Sequence, residues 1–148
     1  MGYRRLAFND ASIEYVVDGP EDAPDLLLFD LGTPCAAVPF DSLTRAAAAA
    51  GMRTAIYSRA GYGTSTRLEG RSIADEAAIS AALADSLGYE RFHTAGWSGG
   101  GPAALACAAA VGAGAGTCRL VDRNARALFL RERAGGLPPA RLLPSPKR

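Results

Sequence analysis

The residues Gly96, Trp97, Ser98, Gly99 and Gly100 form a G-x-S-x-G motif in the second half of the chain. Such a motif marks a sharp turn between a strand and a helix, on which the serine hydroxyl is raised above the end of the sheet. A serine hydroxyl placed in this way can act as a nucleophile once a neighbouring base accepts its proton. Ser98 is therefore the first candidate catalytic residue.

A base for Ser98 has one candidate, because His93 is the only histidine in the sequence. It lies five residues before Ser98, on the strand predicted to lead into the turn. A strand advances about 3.3 Å per residue, which separates the two backbones by roughly 16 Å. A general base must come within about 3 Å of the hydroxyl. We therefore expect His93 to be a structural strand residue and not the base for Ser98.

Alternating polar and apolar residues predict two antiparallel strands over residues 3–8 and 11–18, joined by a turn at Asn9 and Asp10. The elements predicted after this hairpin are a buried strand over 25–29, a helix over 41–50, a strand over 52–57, a helix over 72–87, a strand over 92–95 and a helix over 99–111. Strands that alternate with helices favour an α/β fold with a mostly parallel, doubly wound sheet.

Several polar residues have structural interpretations in this scheme. Ser72 is expected to cap the helix over 72–87, with Asp75 and Glu76 placed at its positive end. Asp30 directly follows the strand over 25–29 and is expected to be a loop residue. None of these residues is predicted to carry chemistry.

The composition favours one globular domain. The chain has 148 residues, 49% of them hydrophobic, and a net charge of +1, which gives no general attraction to nucleic acid or membrane. The three cysteines, Cys35, Cys107 and Cys118, have no C-x-x-C spacing, so reduced thiols in the cytoplasm are expected, and neither disulfides nor a metal site. We find no secretory signal and no run of membrane-spanning length.

The charge changes sharply near residue 111. Residues 1–111 carry 8 basic and 13 acidic residues, a net of −5, whereas residues 112–148 carry 8 basic and 2 acidic residues, a net of +6. Four of the nine prolines also lie in this second segment. We expect a domain over 1–111 and a basic tail over 112–148 that is disordered or the product of a shifted reading frame; the alternative is a basic arm for an acidic partner. A helix over 123–133 is the one element expected in the tail.

Four blocks of residues resemble the first half of an α/β-hydrolase of the bacterial serine esterase and proline-iminopeptidase kind. They are residues 26–34, the run RAGYGTS at 59–65, Ala74-Asp75, and the run AGWSGGGP at 95–102. The resemblance covers residues 1–111 and implies an incomplete α/β-hydrolase fold that stops after the helix following Ser98. It implies no cofactor.

The resemblance also assigns roles. It makes Ser98 the nucleophile and the backbone N–H groups of Thr33 and Gly99 the oxyanion hole. The family usually has a His-Gly pair where this chain has Leu31-Gly32. A serine at this position is similar to esterases and peptidases, and differs from the relatives with an aspartate nucleophile, such as epoxide hydrolases. Trp97 either lines the pocket or lies at its rim or in the core.

The family's catalytic acid and histidine come late in the chain, and neither has a match here. Two hypotheses therefore stand: a serine hydrolase that cleaves small-molecule esters, amides or peptides through an acyl-enzyme, inactive alone, or a non-catalytic truncated fragment or binding module. If the sheet ends at the strand over 92–95, that strand is an exposed apolar edge unless residues 128–130 cover it. Self-association would follow from such an edge.

Overall fold

A computed structural model describes residues 2–110, 115–121, 127–130 and 141–142. The elements in chain order are β1 (Arg4–Phe8), β2 (Ala11–Asp18), β3 (Asp25–Asp30), α1 (Asp41–Ala49), β4 (Met52–Tyr57), α2 (Ile73–Ser86), β5 (Phe92–Trp97), a 3₁₀ turn (Ser98–Gly100), α3 (Gly101–Ala110), β6 (Ala115–Val121), β7 (Ala127–Leu130) and β8 (Arg141–Leu142).

The strands form a mixed sheet in the order β1-β2-β4-β3-β5-β6-β7-β8. The central strands β4, β3, β5 and β6 are parallel, while β1 and β2 at one side and β7 and β8 at the other are antiparallel. The carboxyl ends of β3, β4 and β5 therefore meet at one edge, where ligands bind in open α/β sheets. The predicted mostly parallel, doubly wound sheet with an antiparallel N-terminal hairpin is confirmed.

Two apolar clusters cover the two faces of the sheet, as expected for a doubly wound fold. One lies beneath α2 and α3, with Leu26 and Leu28 of β3 packed near Ile79 and Leu83 of α2. The other lies on the α1 side and includes Phe29 of the same strand. Strand β3 is thus buried on both faces, which explains its continuous apolar run.

Helix α2 begins as the sequence predicts. The backbone N–H and the hydroxyl of Ser72 donate to the carboxylate of Asp75, at 2.6 and 2.9 Å. These two hydrogen bonds hold the pKa of Asp75 below its usual value. The helix stops before Gly88, whose φ of +85° suits glycine. The structural interpretation of Ser72 and Asp75 is confirmed.

The tail differs from expectation where it is described. Strand β6 pairs with β5, so β5 is not an exposed edge, and residues 128–130 lie in β7, which pairs with β6 and not with β5. The sheet therefore does not stop after α3. Residues 127–130 form a strand where a helix over 123–133 was expected, and the rest of that range lies outside the described residues. Thr, Leu and Val in residues 115–121 favour a strand, a local signal that the overall composition obscures.

Because β6 pairs with β5, an exposed apolar edge at β5 is no longer a reason to expect self-association. Self-association itself remains a prediction. The division at residue 111 and the origin of residues 112–148 also remain predictions.

Candidate active site

Ser98 lies at the carboxyl end of β5, as the first residue of the 3₁₀ turn that leads into α3. Its φ is +55°, in the left-handed region that non-glycine residues rarely adopt, and its side chain is exposed. Such a backbone costs roughly 1–2 kcal/mol in an L-residue. The serine hydroxyl is therefore presented to solvent on a strained corner, as the G-x-S-x-G motif predicts.

Three glycines allow this corner to form. A Cβ at Gly96 would lie 2.4 Å from the carbonyl oxygen of Gly100, and a Cβ at Gly100 would lie 2.0 Å from the carbonyl oxygen of Asp30. A Cβ at Gly32 would lie 2.9 Å from the Cβ of Ser98. The turn therefore packs directly against the end of β3 and against the loop that follows it.

The backbone amides of Thr33 and Gly99 meet beside Ser98. A Cβ at Gly99 would lie 3.2 Å from the nitrogen of Thr33, and a Cβ at Gly32 would lie 3.1 Å from the nitrogen of Gly99. The structure thus brings together Ser98, Thr33 and Gly99, the three site residues predicted from the sequence. Two N–H groups at such a corner are able to stabilise an oxygen that gains negative charge.

Arg59 connects the two sides of this corner. Its Nη1 donates to the hydroxyl of Thr33 at 3.3 Å and to the carbonyl oxygen of Gly99 at 3.5 Å. Its Nε lies 3.3 Å from Oε1 of Glu76, a carboxylate with no exposed surface that also pairs with Arg71. Within the run at 59–65 the sequence does not single out Arg59, because its contacts join residues that are distant in the chain.

The loop that carries Arg59 is anchored by Glu14 of β2. The carboxylate of Glu14 accepts hydrogen bonds from the hydroxyls of Thr64 and of Ser58, the latter at 2.7 Å. The hydrogen bond from Thr64 is the main cause that lowers the pKa of Glu14. The hydroxyl of Ser58 in turn accepts from the N–H of Ala37 at 2.7 Å. This network ties the loop after β4 to the segment that follows Thr33.

Asp30 is not the loop residue that the sequence suggested. It is the last residue of β3 and only 1% exposed, and its Oδ2 accepts from the hydroxyl of Thr94 at 3.2 Å. Its Oδ1 has no hydrogen-bond partner among the described residues. Burial raises the pKa of Asp30 to about 7, against the opposing effects of the nearby Tyr57 hydroxyl, of the hydrogen bond from Thr94 and of the Arg59 charge. A buried acid therefore lies just beneath the loop of Thr33.

His93 lies at the other end of β5 from Ser98. It is in register with Leu27, near the start of β3, and its Nε2 lies 3.7 Å from Oδ1 of Asp25. Both residues line a cavity of about 520 Å³, and Ser98 is not among the residues that line it. This position agrees with the interpretation of His93 as a structural strand residue.

Aromatic rings cover the surface beside the nucleophile. Trp97 is 39% exposed and stacks on Phe40, with ring centroids 6.4 Å apart and planes 4° apart. Phe40 also stacks on Phe29 at 6.0 Å. Trp97 is therefore an exposed aromatic residue beside Ser98 and not a core residue, and its role in lining a pocket stays a prediction.

Searches with the sequence find no match among family models or curated proteins. Solved structures do match. An alpha/beta hydrolase fold protein from Nakamurella multipartita aligns at a TM-score of 0.67 and 27% identity, over 82% of this chain and 40% of that one. Proline iminopeptidase from Mycobacterium smegmatis aligns at a TM-score of 0.58 and 25% identity, over 77% of this chain and 41% of that one. Epoxide hydrolase A from Mycobacterium thermoresistibile aligns at a TM-score of 0.61 and 24% identity, over 71% of this chain and 33% of that one.

The chain has the α/β-hydrolase fold. The resemblance stated from the sequence is thereby confirmed at the level of the fold. The chain spans between 33% and 41% of the length of the three α/β-hydrolases just named. The similarity to the epoxide hydrolase, at 24% identity, shows the fold alone and does not indicate which residue is the nucleophile.

Among the described residues, no three His, Cys, Asp or Glu side chains converge as a metal site requires. Within the same ranges, no helix has the length and apolar character to cross a membrane.

The strain at the α/β-hydrolase corner has a measurable consequence. Ser98→Gly is expected to be more stable than Ser98→Ala by about 1 kcal/mol, because glycine adopts a positive φ without steric cost while alanine keeps the strain. At an ordinary helix position the order is reversed. Urea unfolding of the two variants measures the difference. An alanine variant as stable as the glycine variant would contradict the strained turn.

Proposed function

We propose that this chain carries the nucleophilic part of a serine hydrolase site. Ser98 is the nucleophile, and the N–H groups of Thr33 and Gly99 form the oxyanion hole. The substrates are small molecules with an ester, amide or peptide bond, cleaved through an acyl-enzyme on Ser98. We further propose that these 148 residues alone do not turn over substrate.

One observation carries this proposal: the exposed Ser98 has a φ of +55° at the carboxyl end of a central parallel strand, and the backbone nitrogens of Thr33 and Gly99 lie beside it. A buried structural serine would need neither the strain nor the exposure. Strained backbone of this kind is found preferentially at functional sites.

The reaction can be followed atom by atom. The Ser98 oxygen adds to the substrate carbonyl carbon as a base takes its proton, and the carbonyl oxygen gains negative charge. The N–H groups of Thr33 and Gly99 donate hydrogen bonds to that oxygen. Collapse of the adduct expels the alcohol or amine, which takes a proton from the protonated base. The acyl group stays on Ser98 until water removes it in the same way.

The base is the missing component. His93 is the only histidine in the sequence, and it lies at the opposite end of β5, paired with Asp25. Without an imidazole in contact, a serine hydroxyl is a weak nucleophile. This supports inactivity of the chain alone. It also supports the alternative function, a non-catalytic fragment or binding module of the same fold.

An experiment with added imidazole distinguishes a serine hydrolase site from a non-catalytic fragment or binding module. A fluorophosphonate reacts with activated serines, and its phosphoryl oxygen enters the oxyanion hole. We expect no labelling of the purified chain alone, whereas imidazole at high concentration is expected to raise labelling of Ser98 by about tenfold or more, because it supplies the general base. Mass spectrometry of the digested protein locates and quantifies the adduct.

Ser98→Ala is the control and should abolish the adduct. Labelling of the wild-type chain without imidazole would overturn the proposed inactivity. No labelling of Ser98 even with imidazole would overturn its role as nucleophile and leave the binding module. A cytoplasmic location, proposed from the cysteine pattern, is tested separately by fractionation of cells that express the protein.

A further inference from the structure

We propose that Arg59 is a positioning residue for the oxyanion hole, a role that rests on the proposed function of Ser98. Its guanidinium contacts one group from each arm of the hole. These groups are the hydroxyl of Thr33, at 3.3 Å, and the carbonyl oxygen of Gly99, at 3.5 Å. Arg59 thereby sets the distance between the loop after β3 and the turn of Ser98.

Neither contact touches the N–H groups that would meet the substrate. The guanidinium holds Thr33 by its side chain and Gly99 by its carbonyl, which leaves both amide protons available. Each of these hydrogen bonds is long compared with the usual distance of about 2.9 Å and is weak alone. Their effect depends on how firmly the guanidinium itself is held.

Glu76 holds the guanidinium from behind. Its Oε1 lies 3.3 Å from Nε of Arg59, and its Oε2 accepts from the hydroxyl of Tyr57 at 3.1 Å. Arg59 is 8% exposed and Glu76 is 0% exposed, so water does not compete for these contacts. A planar guanidinium fixed on its Nε side presents its remaining N–H groups in one direction. That direction leads to Thr33 and Gly99.

Such fixation matters because oxyanion donors stabilise charge only when they are oriented before the reaction begins. Errors of about 1 Å in placement can reduce rates by roughly a hundredfold. The Thr33 loop is exposed and begins where β3 ends. The buried pair of Arg59, in the loop after β4, and Glu76, in α2, supplies a fixed point for this loop.

A purely structural role for the ion pair is the competing explanation, and Arg71 provides the matched control. Arg71 pairs with the same Oε1 of Glu76, and no contact with Thr33 or Gly99 is found among the described residues. If Arg59 only neutralised Glu76, Arg59→Lys would have almost no effect, and Arg59→Gln would have an effect comparable to that of Arg71→Gln. Arg59→Lys keeps the positive charge but loses the fork that reaches both arms.

Two readouts test the proposal. The first is imidazole-dependent phosphonylation of Ser98 at varied fluorophosphonate concentration, which separates reagent affinity from the maximal rate. We expect Arg59→Lys to lower the maximal rate by about tenfold or more, and Arg71→Gln to leave it nearly unchanged. Thr33→Val removes one acceptor of Arg59, so its effect should be smaller in the Arg59→Lys background than in wild type.

The second readout needs no reaction. Amide ¹H–¹⁵N spectra should show that Arg59→Lys shifts the signals of Thr33 and Gly99 and accelerates their hydrogen exchange, while Arg71→Gln does not. If Lys disturbs folding, Arg59→Gln replaces it in both measurements. If wild-type Ser98 is not labelled, the proposed function fails, and the amide spectra still decide the role of Arg59. A variant of Arg59 with unchanged Thr33 and Gly99 signals, or with a wild-type maximal rate, overturns the proposal.

Discussion

Gly100→Ala is expected to lower the free energy of unfolding by about 3 kcal/mol or more, at the upper end of the range for overpacked positions. An added Cβ would lie 2.0 Å from the carbonyl oxygen of Asp30, 2.6 Å from its carbonyl carbon and 3.0 Å from the carbonyl oxygen of Leu31. All three are backbone atoms of the central strand or of the residue after it, so no side chain can rotate away. Either β3 or the turn of Ser98 must move.

Urea unfolding of the wild type and the variant measures this cost. Gly99→Ala is the neighbouring control, because its Cβ would come no closer than 3.2 Å to any atom beyond its chain neighbours, and its cost should be clearly smaller. Gly2→Ala, with no atom within 4 Å of the added carbon, should change nothing. Equal stability of Gly100→Ala and wild type would mean that the turn does not pack against β3 as described.

The same contact explains why the serine corner was predictable from the sequence. Glycines at positions 96 and 100 are needed because the turn closes on itself and on β3, and the first of these constraints acts over a few neighbouring residues. Local patterns also predicted the β1–β2 hairpin and the start of α2, where Ser72 and Asp75 lie three residues apart. Simple strand geometry was enough to separate His93 from Ser98.

The residues whose environment the sequence did not predict have partners that are distant in the chain. Asp30 was interpreted as a loop residue because an aspartate after an apolar run is usually exposed. The polar groups that act on it, Tyr57, Thr94 and Arg59, lie on β4, on β5 and in the loop after β4. The Arg59–Glu76 ion pair was also not predictable from the sequence, because the spacing of these residues does not indicate which buried acid a given arginine contacts.

Residues 112–148 show a different limit of prediction from sequence. Its composition and charge were used to predict disorder or a helix, while β6 and β7 depend on short apolar stretches within it. Composition averaged over a segment does not report such stretches. Pairing of β6 with β5 is a long-range contact, and the described residues of β6 lie beside β5 over its whole length.

Asp30→Asn is expected to stabilise the protein at pH 8 by about 4 kcal/mol and to have little effect near pH 4. The carboxyl of Asp30 has an ordinary pKa of 3.8, and burial raises the pKa in the folded protein to about 7. Between these two values the folded state keeps a proton that the unfolded state has released. The stability of the wild type therefore falls as the pH rises from about 4 to about 7, and it stays low above that.

Asparagine has nearly the same shape and no proton to lose, so the variant should lack this part of the pH dependence. Urea unfolding at pH 5, 6, 7 and 8 gives the two curves, and their separation should grow with pH until about 7 and then remain constant. Asp75→Asn is the control with opposite sign. The pKa of Asp75 is lowered in the fold, so its contribution is present at neutral pH and is lost as the pH falls.

Parallel curves for the wild type and Asp30→Asn would show that Asp30 is ionised in the fold at every pH tested. The Arg59 charge, the nearby Tyr57 hydroxyl and the hydrogen bond from Thr94 would then outweigh the burial of the carboxylate. The expected divergence instead means that the folded protein holds a neutral acid at the end of β3 at pH 6. Glu76 is then the one ionised acid that pairs with Arg59 among the described residues, and it is shared with Arg71; above pH 7 the ionised Asp30 adds a second negative charge that acts on Arg59. A second negative charge there opposes charge development on a bound carbonyl oxygen, so imidazole-dependent labelling of Ser98 should respond to pH more weakly in Asp30→Asn than in the wild type.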